Sequence, residues 1–351
     1  MTKNTPISSI GEFGLIEKIK SKIKLGPSTK QGPGDDCAVI TPKREEYLVS
    51  TDTLVEGIHF DNSFMSLEHT GYKAVISNVS DIYAMNGTPL HITVSLGISN
   101  KYTVEDIEKL YSGIHRACQK HGVDIIGGDI SGSFSGLVIN ITVIGSQKKD
   151  EIVYRSGAQE GDLIVVSGDL GAAYLGLQVL LREKGVLDQS PKNMDLTGDI
   201  KNQIKKNQVL VERQIKPEAR KDVIDFLRTN NIKPTSMIDV SDGLSIDLLH
   251  IAKESNVSVC VYENKIPIST ESINFCDQIS LNPAIVALSG GEDYELLFTI
   301  NPSEMGSIES ARGLSIIGKV GPVSKKNKFV LSEGKEVGFE KIGWDHFSKT
   351  K

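Results

Sequence analysis

Between residues 90 and 122 the spacing of apolar residues changes period, and that change most constrains the fold. Over LHITVSLGI (90–98), Ile92, Val94, Leu96 and Ile98 alternate with His91, Thr93 and Ser95. A period of two puts one set on each face of a half-buried strand. Over TVEDIEKLYSGIHRACQKHG (103–122), Val104, Ile107, Tyr111, Ile114 and Cys118 recur at threes and fours. That stripe is the apolar face of an amphipathic helix. Thr103 stands at the N-cap with Asp106 at the capping-box position, and Gly122 ends the helix as a C′ residue.

The same alternation recurs along the chain. YLVSTDTL reads as a strand, and TGYKAVISNVSDIYAMNG as a helix over about 70–86. VDIIGGD and GLVINITVIG (136–145) read as strands. The polar run SQKKDE (146–151) interrupts, and a second series begins. GDLIVVSGDLGAAYLGLQVLL and SMIDVSDGLSIDLLHIAKE each read strand, turn, helix; VSVCVYE, ELLFTI and LSIIGKVG read as strands. The hydrophilic stretch EKGVLDQSPKNMDLTGDIKNQIKKN has few apolar anchors and reads as a solvated loop. These periodicities predict an α/β protein with mixed (α+β) sheets in two domains, 1–149 and 150–351, and 351 residues suit that number.

With 39 basic against 45 acidic residues, the net charge of −6 argues against a nucleic-acid partner. Cys37, Cys118, Cys260 and Cys276 show no C-x-x-C spacing, which suits thiols in a reducing compartment. The start, MTKNTPISSI, has no apolar h-region, and no stretch approaches the ~18 apolar residues of a membrane span. A cytoplasmic protein without membrane contact is expected.

Acids collect where strands end. GPGDD carries Asp35 and Asp36, STDT carries Asp52, and NVSD carries Asp81, with Asn78 three residues back on the same helix face. IIGGD carries Asp129, IDVSDG carries Asp239 and Asp242, and SGGEDYE carries Glu292, Asp293 and Glu295. Two readings are open. The turns are scattered and solvated, or they converge, in which case divalent metal must offset the repulsion. Carboxylate and hydroxyl oxygens suit Mg²⁺, with phosphates completing its shell. Gly127 and Gly128, and Gly290 and Gly291, precede acids and allow backbone to approach an oxyanion. No Walker loop is present: GLSIIGKV (313–320) carries Val320 where Ser or Thr is needed, and it runs through a predicted strand. His59 is a structural histidine or a ligand contact. Trp344 is a plug at a chain end or a flat wall for a cationic ring.

GEFGLI, GPGDDCAVI, STDTLVEGIHF, NVSDIYAMNGTP, IIGGD, YRSGAQEGDLIVVSG, MIDVSDGLSIDL, SGGEDYELLFTI and GWDHF, in that order, resemble the thiamine-monophosphate kinase family. The resemblance spans almost the whole chain. That family belongs to a wider ATP-using group with aminoimidazole ribonucleotide synthetase and selenophosphate synthetase. The resemblance implies an N-terminal Mg-ATP and dimerisation domain whose strands form an intersubunit barrel in a homodimer, and a C-terminal α/β domain that completes the active site. It implies ATP and thiamine monophosphate as substrates and several Mg²⁺ ions held by Asp36, Ser50, Thr51, Asp52, Asp81, Asp129, Asp239 and Asp242. It puts Tyr111, Gly128, Asp129, Arg155 and Ser241 on ATP, and His59, Glu292 and Trp344 on thiamine monophosphate. Asp52, Asp129 and Arg155 would act in catalysis. The alternatives are a cyclo-ligase of the same group, or a nucleotide-binding module without chemistry.

Overall fold

A computed structural model describes residues 5–6, 9–10, 15, 18–27, 29–31, 39–40, 45–189, 197–323 and 326–339, with backbone alone for 30–31, 39–40, 187–189 and 197–201. Asp36, Cys37 and Trp344 lie outside the described residues. The chain divides into two compact units, residues 1–152 and 153–351.

In the first unit a short ribbon, β1 (Thr29–Gln31) and β2 (Val39–Ile40), precedes a four-stranded sheet. The sheet is built from β3 (Glu46–Val55), β4 (Thr88–Ile98), β5 (Asp124–Gly132) and β6 (Val138–Gln147) in the order β3-β6-β4-β5. Only β4 and β5 run parallel, joined through a helix. Helices α1 (Leu67–Ala84) and α2 (Val104–His121) pack on each other, and α1 lies against β3 and β6. Helix α1 is therefore buried nearly all round, and even Asn78 and Ser80 are fully covered.

Helix α2 has the predicted ends. Thr103 Oγ1 accepts from the Asp106 N–H at 3.3 Å, Asp106 Oδ2 accepts from the Thr103 N–H at 3.2 Å, and Gly122 has φ +70. Ile92, Val94, Leu96 and Ile98 are buried, as the alternation predicts. His91 departs from it: irregular register at 89–91 and 92–93 turns His91 inward beside Ile92, and it is buried too.

In the second unit a seven-stranded sheet has the order β13-β12-β9-β11-β7-β10-β8. Its strands are β7 (Leu163–Ser167), β8 (Ser236–Val240), β9 (Ser258–Tyr262), β10 (Glu295–Ile300), β11 (Leu314–Gly321), β12 (Lys328–Val330) and β13 (Glu336–Gly338). Only β12 and β9 pair in parallel. The helices are α3 (Ala172–Gln189), α4 (Thr197–Lys206), α5 (Gln208–Ile215), α6 (Lys221–Thr229), α7 (Leu244–Ser255), α8 (Thr270–Ile279), α9 (Pro283–Ser289) and α10 (Met305–Ser310). Ile164, Val166, Ile238, Val240, Leu297 and Ile317 form the centre of the core. The Walker-like 313–320 stretch lies in β11, between β9 and β7, as its apolar run requires.

One expectation is corrected here. Most of the polar stretch at 183–207 is helical: α3 continues to Gln189, and α4 covers Thr197–Lys206, while 190–196 lie outside the described residues. Lysine and glutamine are good helix formers, so a solvated helix needs few apolar anchors. Ile204 supplies one, half-buried among exposed neighbours. No described helix is long and apolar enough to cross a membrane.

Candidate active site

In the first unit, β3 brings Ser50 and Asp52 to one face because side chains two apart point the same way. Ser50 Oγ donates to Asp81 Oδ2 on α1 at 2.5 Å. The Asp52 N–H donates to Asn78 Oδ1, one turn earlier on α1, at 3.2 Å. Asn78 is itself fixed, its Nδ2 donating to the Ala74 carbonyl at 2.9 Å. Burial pushes the Asp52 carboxyl above its ordinary range, opposed by a Ser77 hydrogen bond and by the nearby His59. His59 Nδ1 accepts from the Val55 N–H at 3.0 Å, which holds the imidazole next to the strand that carries Asp52.

Thr51 points the other way. Its hydroxyl donates to the Ile141 carbonyl at 3.0 Å and accepts from Thr142 Oγ1 at 3.1 Å. Cross-strand register continues that face through Thr53, Asn140, Ser95 and Asp129, and Asp129 is exposed there. The sheet thus brings Ser50, Asp52 and Asp81 together and sets the Thr51 hydroxyl and Asp129 on its opposite face. Among the described residues, no three His, Cys, Asp or Glu converge closely enough to hold an ion unaided.

A cavity of about 110 Å³ opens beside β5, lined by Val94, Tyr111, Ile125, Gly127, Gly128 and Asp129 among others. Tyr111 is both buried on the apolar face of α2 and part of this wall, and burial raises its hydroxyl pKa. Gly128 is required by close approach: a Cβ there would lie 2.0 Å from the Val94 carbonyl oxygen.

In the second unit, β8 delivers Asp239 and then turns through Ser241, Asp242 and Gly243 into α7. Asp247, in the first turn of α7, accepts from all three turn N–H groups at 3.2 Å each. Its carboxyl is raised well above the usual range by burial and by the charges of Asp239 and Asp242, against two of those backbone bonds. The 289–295 segment lies on this turn. The Glu292 N–H donates to the Ser241 carbonyl at 2.8 Å, and the Tyr294 N–H to Val240 at 2.9 Å. A Cβ at Gly291 would come 2.4 Å from the Ser241 oxygen. Glu292 and Tyr294 adopt φ +66 and +52, a region non-glycine residues enter only when their surroundings hold them there.

The residues between and beyond supply that hold. Asp293 is buried and accepts from the N–H groups of Gly171 at 2.6 Å and Ala173 at 3.1 Å, at the start of α3. Burial pushes it up to about 7, against the pull of Arg213 and those bonds. Glu295, fully buried, is gripped through both oxygens: Arg213 Nη2 donates to Oε1 at 2.9 Å, and Arg220 Nη1 donates to Oε2. Gln214 Nε2 donates to Glu292 Oε2 at 2.9 Å. Arg155 is exposed, and its carbonyl accepts from Ser255 Oγ at 3.3 Å.

Asp247, Arg213, Gln214 and Arg220 were not among the residues singled out from sequence. Asp247 had a signal, an acid four residues after the Gly of a strand–turn–helix. The other three sit in a polar stretch and become visible only through their partner carboxylates.

Residues 34–147 match the family described as AIR synthase related protein, N-terminal domain. The thiamine-monophosphate kinase of Aquifex aeolicus is 34% identical over 350 residues, 97% of this chain and 99% of that protein. The chain belongs to the thiamine-monophosphate kinase family. It is accordingly an enzyme, a kinase. A solved structure of a family member, AaThiL complexed with AMPPCP and TMP, is similar with a TM-score of 0.73 and 32% identity, covering 97% of this chain and 98% of that one. The thiamine-monophosphate kinase of Stenotrophomonas maltophilia has a TM-score of 0.76 at 28% identity, covering 93% and 98%.

Proposed function

We propose that this kinase transfers the γ-phosphoryl group of ATP to thiamine monophosphate, giving thiamine diphosphate and ADP. One observation carries the reading: near full-length identity of 34% to a thiamine-monophosphate kinase. The related structure complexed with AMPPCP, an ATP analogue, and TMP supports both substrates. An oxygen of the acceptor phosphate attacks the γ-phosphorus in line, and the bond to the β–γ bridging oxygen breaks as ADP leaves. The second pKa of a phosphate monoester is about 6, so the nucleophile is already ionised near neutrality and no strong base is needed. Catalysis then rests on positioning and charge.

The donor set fits Mg²⁺. Ser50, Asp52 and Asp81 offer only hard oxygens, and burial makes the ionised forms of Asp52 and Asp247 costly without a cation. Asp36, Ser50, Thr51, Asp52, Asp81, Asp129, Asp239 and Asp242 are proposed to hold several ions. When bound, Mg²⁺ neutralises phosphate charge. Gly128, Asp129, Ser241, Tyr111 and Arg155 are assigned to ATP, and Arg155 to charge on the transferring group. His59, Glu292 and Trp344 are assigned to thiamine monophosphate, Glu292 pairing with its cationic ring and Trp344 stacking on it. The first unit would act as the Mg-ATP-binding and dimerising domain and the second would complete the site. The proposed assembly is a homodimer joined as an intersubunit barrel through the four-stranded sheet. The proposed setting is the cytoplasm, consistent with the free thiols of Cys118, Cys260 and Cys276.

The test is direct. The purified chain is incubated with ATP, Mg²⁺ and thiamine monophosphate, with free thiamine in a parallel tube, and products are separated by chromatography. Thiamine diphosphate from the monophosphate alone is the expected result. Turnover of free thiamine, or of neither, would overturn the assignment of the acceptor.

A further inference from the structure

Glu292 is held from outside its own loop. Gln214 Nε2 donates to its carboxylate at 2.9 Å. Gln214 is 4% exposed, and its Oε1 is buried without a hydrogen-bond partner among the described residues. A buried amide that leaves its acceptor bare is destabilising, and Leu or Met would fill the space without that cost. The amide orientation is forced, because the flipped form would set its oxygen against a carboxylate oxygen. Gln214 also comes from a firmly seated element. Its neighbour Arg213 and the more distant Arg220 grip Glu295, three residues past Glu292. The same helix therefore holds the segment on both sides of the left-handed turn at Glu292 and Tyr294.

We propose that Gln214 is a positioning residue: it aims the Glu292 carboxylate at the cationic heterocycle of the acceptor and so sets acceptor affinity without touching the transferred phosphate. This rests on the assignment of Glu292 to the thiamine ring. An aimed carboxylate suits a heterocycle that carries positive charge and disfavours an anionic ring.

Steady-state kinetics of the full chain with Mg²⁺ test it. Gln214→Met keeps the length and removes the donor. The expected result is an acceptor KM raised about tenfold, the loss of one hydrogen bond to a charged group, with kcat and the ATP KM within about twofold. In the Glu292→Gln background, Gln214→Met should add nothing further, because both changes remove one unit. If Gln214→Met does not fold, Gln214→Asn keeps an amide that is one methylene too short to reach, and it carries the same expectation. An unchanged acceptor KM in a folded variant, with Glu292→Gln still raising it, overturns the positioning role alone. A uniform fall in kcat with both KM values changed makes Gln214 structural and also overturns it. If Glu292→Gln itself leaves the acceptor KM unchanged, the assignment of Glu292 fails instead, and the positioning role fails with it.

Discussion

Asp52, proposed to hold Mg²⁺, illustrates how a buried carboxylate weakens the fold that holds it. Burial raises its carboxyl above the ordinary 3.8. A raised folded-state pKa means the folded protein binds that proton more tightly than the unfolded chain does. Stability is therefore lost as pH rises from 3.8 through the raised value, and the loss is complete above it. Asp52→Asn removes the penalty. In the absence of metal and nucleotide, its Tm should exceed that of the parent at neutral pH, and the gain should fade as pH falls toward 3.8. Its kcat should drop by about 100-fold or more, the scale of losing one electrostatic group at a reacting centre. Calorimetry across pH, paired with turnover, checks both halves. A variant with full turnover would remove Asp52 from the catalytic set.

Elements depend on a few buried ion pairs. Arg213 from α5 and Arg220 at the start of α6 both bind Glu295 at the start of β10, and Ser167 at the end of β7 donates to the same carboxylate. Glu295→Ala leaves two largely covered guanidinium groups facing an empty site. The cost should be about 3–5 kcal/mol, the range for breaking one side of a buried pair. Urea denaturation measures it, as a shift of the midpoint without a change of slope. Loss of under about 1 kcal/mol would class the pair with exposed salt bridges instead. Much at this scale was legible in the sequence. The period-two run at 90–98 and the period-3.6 run at 103–122 became β4 and α2, and Thr103 and Gly122 cap as expected. His91 was misread because a bulge shifts register, and a bulge follows from the partner strands. The polar stretch that became α4 was misread because a solvated helix leaves little apolar period to detect.

At the scale of the whole molecule, the proposed dimer uses the face of the four-stranded sheet that α1 leaves bare. Tyr47 is 42% exposed there and Val49 66%. Val49→Asp puts a charge at that surface and should halve the mass seen by light scattering while the far-UV spectrum stays unchanged. A parent chain that already runs as a monomer, or a Val49→Asp chain that still dimerises, would place the interface elsewhere.

Local spacing determined the elements, because strand and helix periods are written in consecutive residues. It also marked the acids at strand ends, because Gly, Ser and Asp favour the turns where a strand ends. The family followed from nine such motifs in register. Only tertiary structure decided which side chains meet. Strand alternation put Ser50 and Asp52 against Asp81 and turned Thr51 away, and cross-strand register sent Asp129 to the opposite face. Helix packing brought Gln214 to Glu292 across 78 positions of sequence. Such pairs have no local period, so their partners become known only when the chain is folded.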